Sequence, residues 1–206
     1  MGIFITFEGI DGSGKSTQAR LLADKLTDAG HDVVLTREPG GSPGAEEIRR
    51  LLVEGEPGRW SAETEILLFT AARRDHVERT VQPALDRGAV VISDRYVDST
   101  RAYQGSGQLR AAVDLLHERM IGLLPERTLI FDIDPQVGLS RADARAGVET
   151  RFEAKGLAFQ AQLRAAFHEI AHSEPDRCRM LDADRPADVI AEDVWSAISP
   201  VVTELG

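Results

Sequence analysis

Short apolar runs alternate with longer amphipathic segments along this chain. The runs of strand length lie at residues 3–7, 33–36, 89–93, 128–132 and 179–181, and the segments between them carry helical patterns. Alternation of this kind predicts a parallel sheet that is covered by helices on both faces. We therefore predict an α/β fold with a five-stranded parallel sheet, whose ligand sites lie at the carboxyl ends of the strands.

Turn and capping residues agree with this division. Gly30 follows the first helical pattern, where glycine often ends a helix, and Ser61 precedes a later pattern as an N-cap. Pro135 and Pro186 suit the first turns of two further helices, because proline lacks the N–H that a helix start leaves unpaired.

Length and composition favour a single domain. A chain of 206 residues can bury a substantial core, and it contains no apolar stretch of about 18 residues that could span a bilayer. The first residues carry no basic region and lead straight into a glycine-rich motif, which predicts a first strand instead of a signal peptide, and hence a cytoplasmic protein. The lone Cys178 excludes an intramolecular disulfide and suits a buried strand position.

The net charge of −10 argues against a nucleic-acid partner, because affinity for a phosphate backbone depends on clustered Lys and Arg. Lysine occurs only at positions 15, 25 and 155, and every other cationic side chain is arginine. Arginine gives planar donors for phosphate, although a compositional bias of the genome would produce the same skew. Small polyanions remain possible ligands if the positive charge is local.

Residues 9–16 fit the phosphate-binding pattern G-x-x-x-x-G-K-S/T directly after the first predicted strand. Glycines at these positions let the backbone turn successive N–H groups inward, and the following helix adds its positive end. Lys15 supplies a point charge for the β and γ phosphates, and Ser16 a hydroxyl for Mg²⁺. We expect ATP to be bound by Gly9, Asp11, Gly12, Ser13, Gly14, Lys15, Ser16 and Thr17.

Several classes of protein share this loop. A GTPase switch needs a guanine-reading Asn-Lys-x-Asp motif, and the chain contains no Asn. A DNA-translocating ATPase needs a basic groove, which the acidic composition argues against. A kinase that acts on a small acceptor remains.

A second polar group follows the third predicted strand. Asp94 would face the metal there, while Arg95 could hold a phosphate, with a surface salt bridge as the alternative. Phe69 and Arg73 lie four residues apart on a predicted helix and share one face, so that a ring and a guanidinium could together bind a base. The same spacing is common between a core residue and a surface residue, and the pair needs support from other motifs.

Five motifs, in order along almost the whole chain, resemble those of thymidylate kinases. They are FEGIDGSGKST at 7–17, TREPGG at 36–41, LLFTAAR at 67–73, DRYVDSTRAYQG at 94–105 and an arginine-containing segment at 139–153. The resemblance implies a P-loop nucleoside monophosphate kinase fold and transfer of the γ-phosphoryl group of ATP to dTMP with Mg²⁺, giving dTDP in dTTP biosynthesis. It also implies a homodimer whose partners are dTMP and ATP, without nucleic acid or membrane.

The resemblance also implies roles in an acceptor site. Phe69 would stack on thymine, Arg73 would donate to a thymine carbonyl, and Arg95 with Arg49 would hold the acceptor phosphate. Tyr103 would crowd the sugar 2′ position, and Asp11 would meet the 3′-hydroxyl. The residues implied for dTMP are Asp11, Glu38, Arg49, Phe69, Arg73, Arg95, Ser99, Thr100, Tyr103 and Gln104.

One departure concerns positive charge near the donor phosphates. Some family members carry an extra Arg inside the P-loop, whereas residues 10–13 offer none. In the branch that this chain resembles, a mobile lid at about 141–156 supplies that charge. The sequence leaves open which arginine of the lid reaches the transferring group. For each of them the alternative is a solvated charge on the face of a helix. The expected catalytic residues are Lys15, Asp94, Arg95, Arg141, Arg145 and Arg151. Ser16 and Asp94 are expected to bind the metal. Arg185 lies in a segment that resembles the loop beside adenine.

Two other functions remain open from the sequence. One is a related phosphotransferase that acts on thymidine or on a monophosphate with a different base. The other is a non-catalytic ATP-binding regulator, which would bind ATP without acceptor-dependent turnover.

Overall fold

A computed structural model describes residues 2–56, 58–144 and 156–203. Its parallel sheet has the strand order β2-β3-β1-β4-β5, which confirms the predicted fold class. The strands are β1 (Ile3–Gly9), β2 (Val33–Arg37), β3 (Val90–Asp94), β4 (Arg127–Asp132) and β5 (Cys178–Asp182). Each lies within two residues of its predicted bounds.

Helices and one π-helical segment, Val77–Val81, connect the strands. Within the described residues the helices are α1 (Lys15–Asp28), α2 (Pro43–Val53), α3 (Ala62–His76), α4 (Gln82–Asp86), α5 (Val97–Tyr103), α6 (Leu109–Met120), α7 (Pro135–Asp143), α8 (Gly156–Ser173) and α9 (Ala187–Val202).

The predicted capping residues occupy the ends of these helices. Gly30 has a φ of +92° just beyond α1, and its N–H donates to the carbonyl of Thr27. The hydroxyl of Ser61 accepts the N–H of Thr64, as an N-cap does. Pro135 opens α7, whereas Pro186 lies one residue before α9 instead of in its first turn.

Two apolar cores lie on opposite faces of the sheet because successive strand residues point to opposite sides. On β1, Ile5 joins the core that packs against α1, α8 and α9, and Phe4 joins the core beneath α3, α4 and α6. Both side chains are fully buried. Cys178 is buried on β5 within the first of these cores, as its strand position predicted.

The sheet places the segments that follow β1 and β3 side by side. β1 and β3 are hydrogen-bonded neighbours, and Phe7 is in register with Asp94. The glycine-rich loop after β1 and the Asp94–Arg95 turn after β3 therefore emerge together at the carboxyl ends of the strands. Within the described ranges, no helix has both the length and the apolar composition that a membrane span requires.

Candidate active site

The loop between β1 and α1 has the backbone that its glycines permit. Gly9, Gly12 and Gly14 have φ values of +135°, +76° and +90°, a region that side chains with a Cβ rarely adopt. At Gly12 a Cβ would also lie 1.9 Å from the carbonyl oxygen of Gly138 in α7. The loop consequently approaches α7 more closely than any other residue type would allow.

Lys15 opens α1 with its ammonium group turned back over this loop. Its Nζ donates to the carbonyl of Ile10 at 2.7 Å and to the hydroxyl of Ser13 at 3.3 Å, and the residue is 6% exposed. Burial first and Arg95 second lower the pKa of Lys15, and because the carboxylates of Asp11 and Asp94 act in the opposite direction the net value is about 8. A cation held in this way is placed to meet the charge of bound phosphates.

Ser16 and Asp94 are in direct contact. The Ser16 hydroxyl donates to Oδ2 of Asp94, so that an alcohol oxygen and a carboxylate oxygen meet beside the phosphate loop. Two hard oxygen donors next to a polyphosphate site suit Mg²⁺, which is usually held by one or two protein oxygens together with substrate phosphates. This pair fits the expected metal.

Arg95 follows β3 in a left-handed backbone conformation with a φ of +73°, which is rare for a residue other than glycine. The turn directs the guanidinium of Arg95 past the carboxyl end of β3 toward the end of β1. Nη2 donates to Oδ1 of Asp11 at 2.5 Å, and Nη1 donates to the carbonyl of Gly9 at 3.2 Å and the hydroxyl of Ser99 at 3.0 Å. The strained turn therefore brings a cation within reach of the phosphate loop.

Asp11 lies between two cations and an aromatic residue. Burial alone would raise the pKa of Asp11, yet Arg95 and Lys15 together hold it below the ordinary value, so the side chain is an anion. The hydroxyl of Tyr103 contacts Oδ2 of Asp11 at 3.4 Å, and Arg95 lies 5.2 Å from the centre of the Tyr103 ring.

A buried network lies at the other end of the cleft. Arg73 donates through Nε to Oε2 of Glu38 at 2.8 Å and through Nη2 to the hydroxyl of Thr100 at 3.0 Å. The second oxygen of Glu38 contacts Nδ1 of His76 at 2.9 Å, and the other ring nitrogen of His76 contacts Thr36 at 2.8 Å. Each of these groups thereby fixes the orientation of the next.

Further predicted acceptor residues surround this network. Phe69 is half-buried and lines the cleft one helical turn before Arg73. Gln104 is buried and donates to Oε2 of Glu65 at 3.0 Å, while its own amide oxygen has no partner among the described residues. Arg49 donates to the carbonyl of Pro39, which follows a cis peptide bond.

One cleft of about 450 Å³ connects the phosphate loop with the Arg73 network. It runs from the phosphate loop, past Arg95, to Phe69 and Arg73. A phosphate-binding loop thus faces a pocket that offers a ring and a guanidinium at its far end. From the predictions, the cleft is lined by Asp11, Gly12, Gly14, Lys15, Ser16, Glu38, Arg49, Phe69, Arg73, Asp94, Arg95, Ser99, Thr100, Tyr103 and Gln104.

Other predicted residues lie elsewhere or outside the described ranges. Gly9 and Ser13 belong to the loop itself, and Thr17 is half-buried on α1 without lining the cleft. Arg141 donates to Asp184 at 2.8 Å and to the carbonyl of Ala183 at 3.0 Å, so it lies against the loop after β5 instead of the cleft. Arg185 pairs with Asp193 in the same region. Arg145 and Arg151 fall outside the described residues, and the predicted lid at 141–156 is described only through residue 144 and at residue 156.

Two buried residues received no role from the sequence. Glu8 accepts hydrogen bonds from the backbone N–H groups of Tyr96 and Ser99, and His76 joins the Glu38 network. His76 lies three residues after Arg73, and therefore on the same helix face, which was the available signal. Glu8 had only its place beside the glycine-rich loop.

Together, a parallel α/β sheet, a P-loop and a facing acceptor pocket define a P-loop kinase for a small molecule. The sequence profile described as thymidylate kinase matches residues 7–194. The chain belongs to the thymidylate kinase family, as the sequence motifs indicated.

Individual relatives are similar over almost their whole length. A thymidylate kinase of Ruegeria pomeroyi is 64% identical over 96% of this chain and 94% of its own, and one of Caulobacter vibrioides is 57% identical over 98% and 97%. The crystal structure of thymidylate kinase from Ehrlichia chaffeensis superposes with a TM-score of 0.77 at 34% identity, over 96% of this chain and 98% of that one.

Proposed function

We propose that this chain transfers the γ-phosphoryl group of ATP to dTMP, giving dTDP and ADP in the route to dTTP. The observation that carries the proposal is the continuity of the cleft. Lys15 of the phosphate loop, Arg95 and the Phe69–Arg73 pair line a single cavity. Donor phosphates, an acceptor phosphate and a pyrimidine base can therefore lie in one line within it.

The acceptor phosphate is already anionic near neutral pH, so the reaction needs no strong base. The difficulty is to bring two polyanions together in line, and fixed positive charge does this work. Lys15 offsets charge on the donor phosphates, while Arg95 and Arg49 hold the acceptor phosphate. The contacts of Arg95 with Asp11, Gly9 and Ser99 keep its guanidinium oriented before substrate arrives.

Ser16 and Asp94 would hold Mg²⁺ together with oxygens of the donor phosphates. The bound ion supplies positive charge that offsets the charge of those phosphates and orients them. Asp94 also contributes to the field around Lys15, whose charge it favours.

Recognition of the acceptor base is assigned to the far end of the cleft. Phe69 would stack on thymine, and Arg73 would donate to a carbonyl of the ring while Glu38 and Thr100 hold the guanidinium in place. Gln104 and Thr100 would approach the base edge. Asp11 would accept the 3′-hydroxyl, and Tyr103 would crowd a 2′-hydroxyl and so favour deoxyribose.

The segment at 141–156 is proposed to close over the donor phosphates as a lid and to exclude water, which limits wasteful hydrolysis of ATP. Arg145 and Arg151 are the candidates for contact with the transferring group. Arg141 of α7, which donates to Asp184 of the loop after β5, is better placed to support the adenine side, together with Arg185.

A coupled assay of ADP release separates this function from its rivals. Thymidine, dTMP, dUMP, dCMP and AMP are each offered with Mg²⁺-ATP at equal concentration. We expect dTMP to give the highest kcat/KM. Turnover with thymidine but not dTMP would identify a nucleoside kinase, preference for another monophosphate would reassign the base pocket, and ATP binding without acceptor-dependent turnover would identify a regulator.

We also propose that the protein is a cytoplasmic homodimer. Leu67 of α3 and Leu115 of α6 are 58% and 54% exposed, and Met120 and Leu124 add to the exposed apolar surface. Val113 and Leu116 of α6 pack in or against a core and are not part of this exposed surface. Light scattering after gel filtration should give twice the chain mass of 22.5 kDa, and Leu67→Glu with Leu115→Glu should reduce it to that of one chain.

A further inference from the structure

Glu8 is a fully buried carboxylate that lies at the end of β1, one residue before the phosphate loop begins. Burial of a carboxylate is costly unless hydrogen bonds compensate it. Its Oε1 accepts the N–H of Tyr96 at 2.8 Å and the N–H of Ser99 at 3.2 Å, and its Oε2 accepts the Ser99 hydroxyl at 2.6 Å. All three donors come from the segment that follows Arg95.

The Ser99 hydroxyl connects this carboxylate to Arg95. A hydroxyl has one hydrogen and two lone pairs, so a hydroxyl that donates to Glu8 presents a lone pair on its other side. Nη1 of Arg95 donates to that same oxygen at 3.0 Å. Arg95 therefore donates to Ser99, and Ser99 donates to Glu8.

Glu8 also contacts the backbone directly after Arg95, and so helps to fix the conformation of that residue. Its φ of +73° is unfavourable for a side chain that has a Cβ, and such a conformation persists only where surrounding contacts fix it. The N–H of Arg95 donates to the carbonyl of Phe7, and the next N–H, of Tyr96, donates to Glu8. Neighbouring residues of β1 therefore hold both peptide groups of the turn.

We propose that Glu8 is a positioning residue, which acts through Ser99 and the backbone of Tyr96 to hold the Arg95 guanidinium at the acceptor phosphate. Glu8 touches neither substrate site, since it does not line the cleft. Because Arg95 is itself proposed to bind the dTMP phosphate, the role of Glu8 depends on that assignment.

The ionised form of Glu8 is the one that can hold this arrangement. A protonated carboxyl would place its own hydrogen between its oxygen and that of Ser99, so the Ser99 hydroxyl could no longer donate there and the order of donors from Arg95 to Glu8 would be broken. Burial first and Asp98 second raise the pKa of Glu8, the hydrogen bond from Ser99 and the charge of Arg95 lower it, and the net value is about 7. Among the described residues, the charged or titratable groups that interact with Glu8 include Asp98 and Tyr103 of α5, Arg95 of the turn, Lys15 of α1 and Cys178 of β5.

The test compares steady-state kinetics of three variants with the wild type. Glu8→Gln keeps the shape of the side chain but removes its charge, and Ser99→Ala removes the relay while it leaves Glu8 in place. Thr6→Val is the matched control, because Thr6 is also fully buried on β1, bonds to Thr128 and does not line the cleft. Thermal unfolding of each variant, measured alongside, identifies any folding defect.

Glu8→Gln and Ser99→Ala should each raise the KM for dTMP about tenfold, with the KM for ATP changed less than twofold and Thr6→Val close to wild type. The double variant should be no worse than the more impaired single one, since both act through one relay. In the wild type, kcat/KM for dTMP should rise as the pH increases through 7, and Glu8→Gln should lose that limb. The second ionisation of dTMP itself, near pH 6, contributes equally to both.

An unchanged KM for dTMP in Ser99→Ala, or equal losses for ATP and dTMP, would overturn the role of Glu8. A wild-type pH limb that persists in Glu8→Gln would do the same. If Glu8→Gln does not fold, the pH profile of Ser99→Ala decides, because a Ser99 that only contacted dTMP would leave the wild-type limb in place. Arg95→Ala in the same assay tests the underlying assignment, so that a failure of the acceptor-site proposal is distinguishable from a failure of this one.

Discussion

The guanidinium of Arg73 and the carboxylate of Glu38 form a buried ion pair, with Nε and Oε2 at 2.8 Å and each side chain only 3% exposed. His76 contacts the other oxygen of the carboxylate. An ion pair in such surroundings is costly to break, because the remaining charge stays buried without its partner. The pair therefore links recognition of the acceptor base to the stability of the fold.

Removal of Arg73 should damage both properties. We expect Arg73→Ala to lower the free energy of unfolding by about 3–5 kcal/mol, as measured by urea denaturation, because Glu38 would be left buried and charged. The double variant Arg73→Leu with Glu38→Gln should recover part of the stability while the KM for dTMP stays high. Arg74→Ala, at the exposed next position, should change stability by no more than about 1 kcal/mol. Normal unfolding of Arg73→Ala would contradict this account.

Arg95 should affect the acceptor alone. Arg95→Ala is expected to raise the KM for dTMP, or to lower kcat/KM, by at least about tenfold, since a phosphate would lose a charged donor. Binding of ATP, followed by calorimetry, should remain nearly intact. Arg87→Ala, which loses only an exposed pair with Asp32, is the matched control. Unchanged kinetics would remove Arg95 from the acceptor site.

Lys15 should matter for turnover more than for acceptor binding. Lys15→Ala removes the cation that lies over the phosphate loop, and kcat should fall by about 100-fold or more, while the Kd for dTMP changes little. Lys25→Ala on the same helix loses only a contact with Trp195 and should retain activity. Equal turnover of the two variants would refute the role of Lys15.

Asp94 should set the requirement for magnesium. Asp94→Asn keeps a partner for the Ser16 hydroxyl but removes a negative charge, so half-maximal activity should require a higher Mg²⁺ concentration, with a lower kcat. Titration of activity with Mg²⁺ at fixed ATP measures both. Asp114→Asn on α6, which alters ion pairs with Arg101 of α5 and Arg110 of α6, provides the control. An identical magnesium dependence would exclude Asp94 from the metal site.

His117 should make the fold sensitive to mild acid. Burial lowers the pKa of His117 to about 4, with Arg73 and Arg101 adding to the effect, below the ordinary 6.5. The unfolded chain therefore binds a proton at a higher pH than the folded one, and this contribution to stability is present above pH 6.5 and is lost as the pH falls toward 4.

The variant His117→Gln can keep a hydrogen bond to the carbonyl of Leu123 but cannot titrate. Between pH 7.5 and pH 5, protonation of His117 should lower the free energy of unfolding of the wild type by at most about 2 kcal/mol. The variant should not show this loss. The unfolding temperature of the wild type should therefore fall relative to that of the variant as the pH is lowered. A difference that stays constant over this range would show that His117 does not contribute.

The strands and the phosphate loop could be predicted because their signals are local. An apolar run bounded by turn residues marks a buried strand, and the glycines at 9, 12 and 14 mark the loop by themselves. Glu8 could not be predicted in this way, since its partners Tyr96 and Ser99 lie 88 and 91 residues further along the chain. A single glutamate at the end of a strand has no pattern that distinguishes it.

Long-range pairing also explains the placement of Arg141. Its helical position was apparent from the sequence, but Asp184, 43 residues later, determines where the guanidinium lies. His76 shows the intermediate case. Its spacing from Arg73 was visible, whereas its contact with Glu38 depends on how α3 packs beside the loop after β2.

The close approach of Gly12 to Gly138 restricts how this enzyme could change in evolution. Any side chain at position 12 would collide with the backbone of α7 before its own chemistry mattered. A positive charge carried by this loop would therefore have to enter at another position, or the backbone of α7 around Gly138 would have to move to admit it.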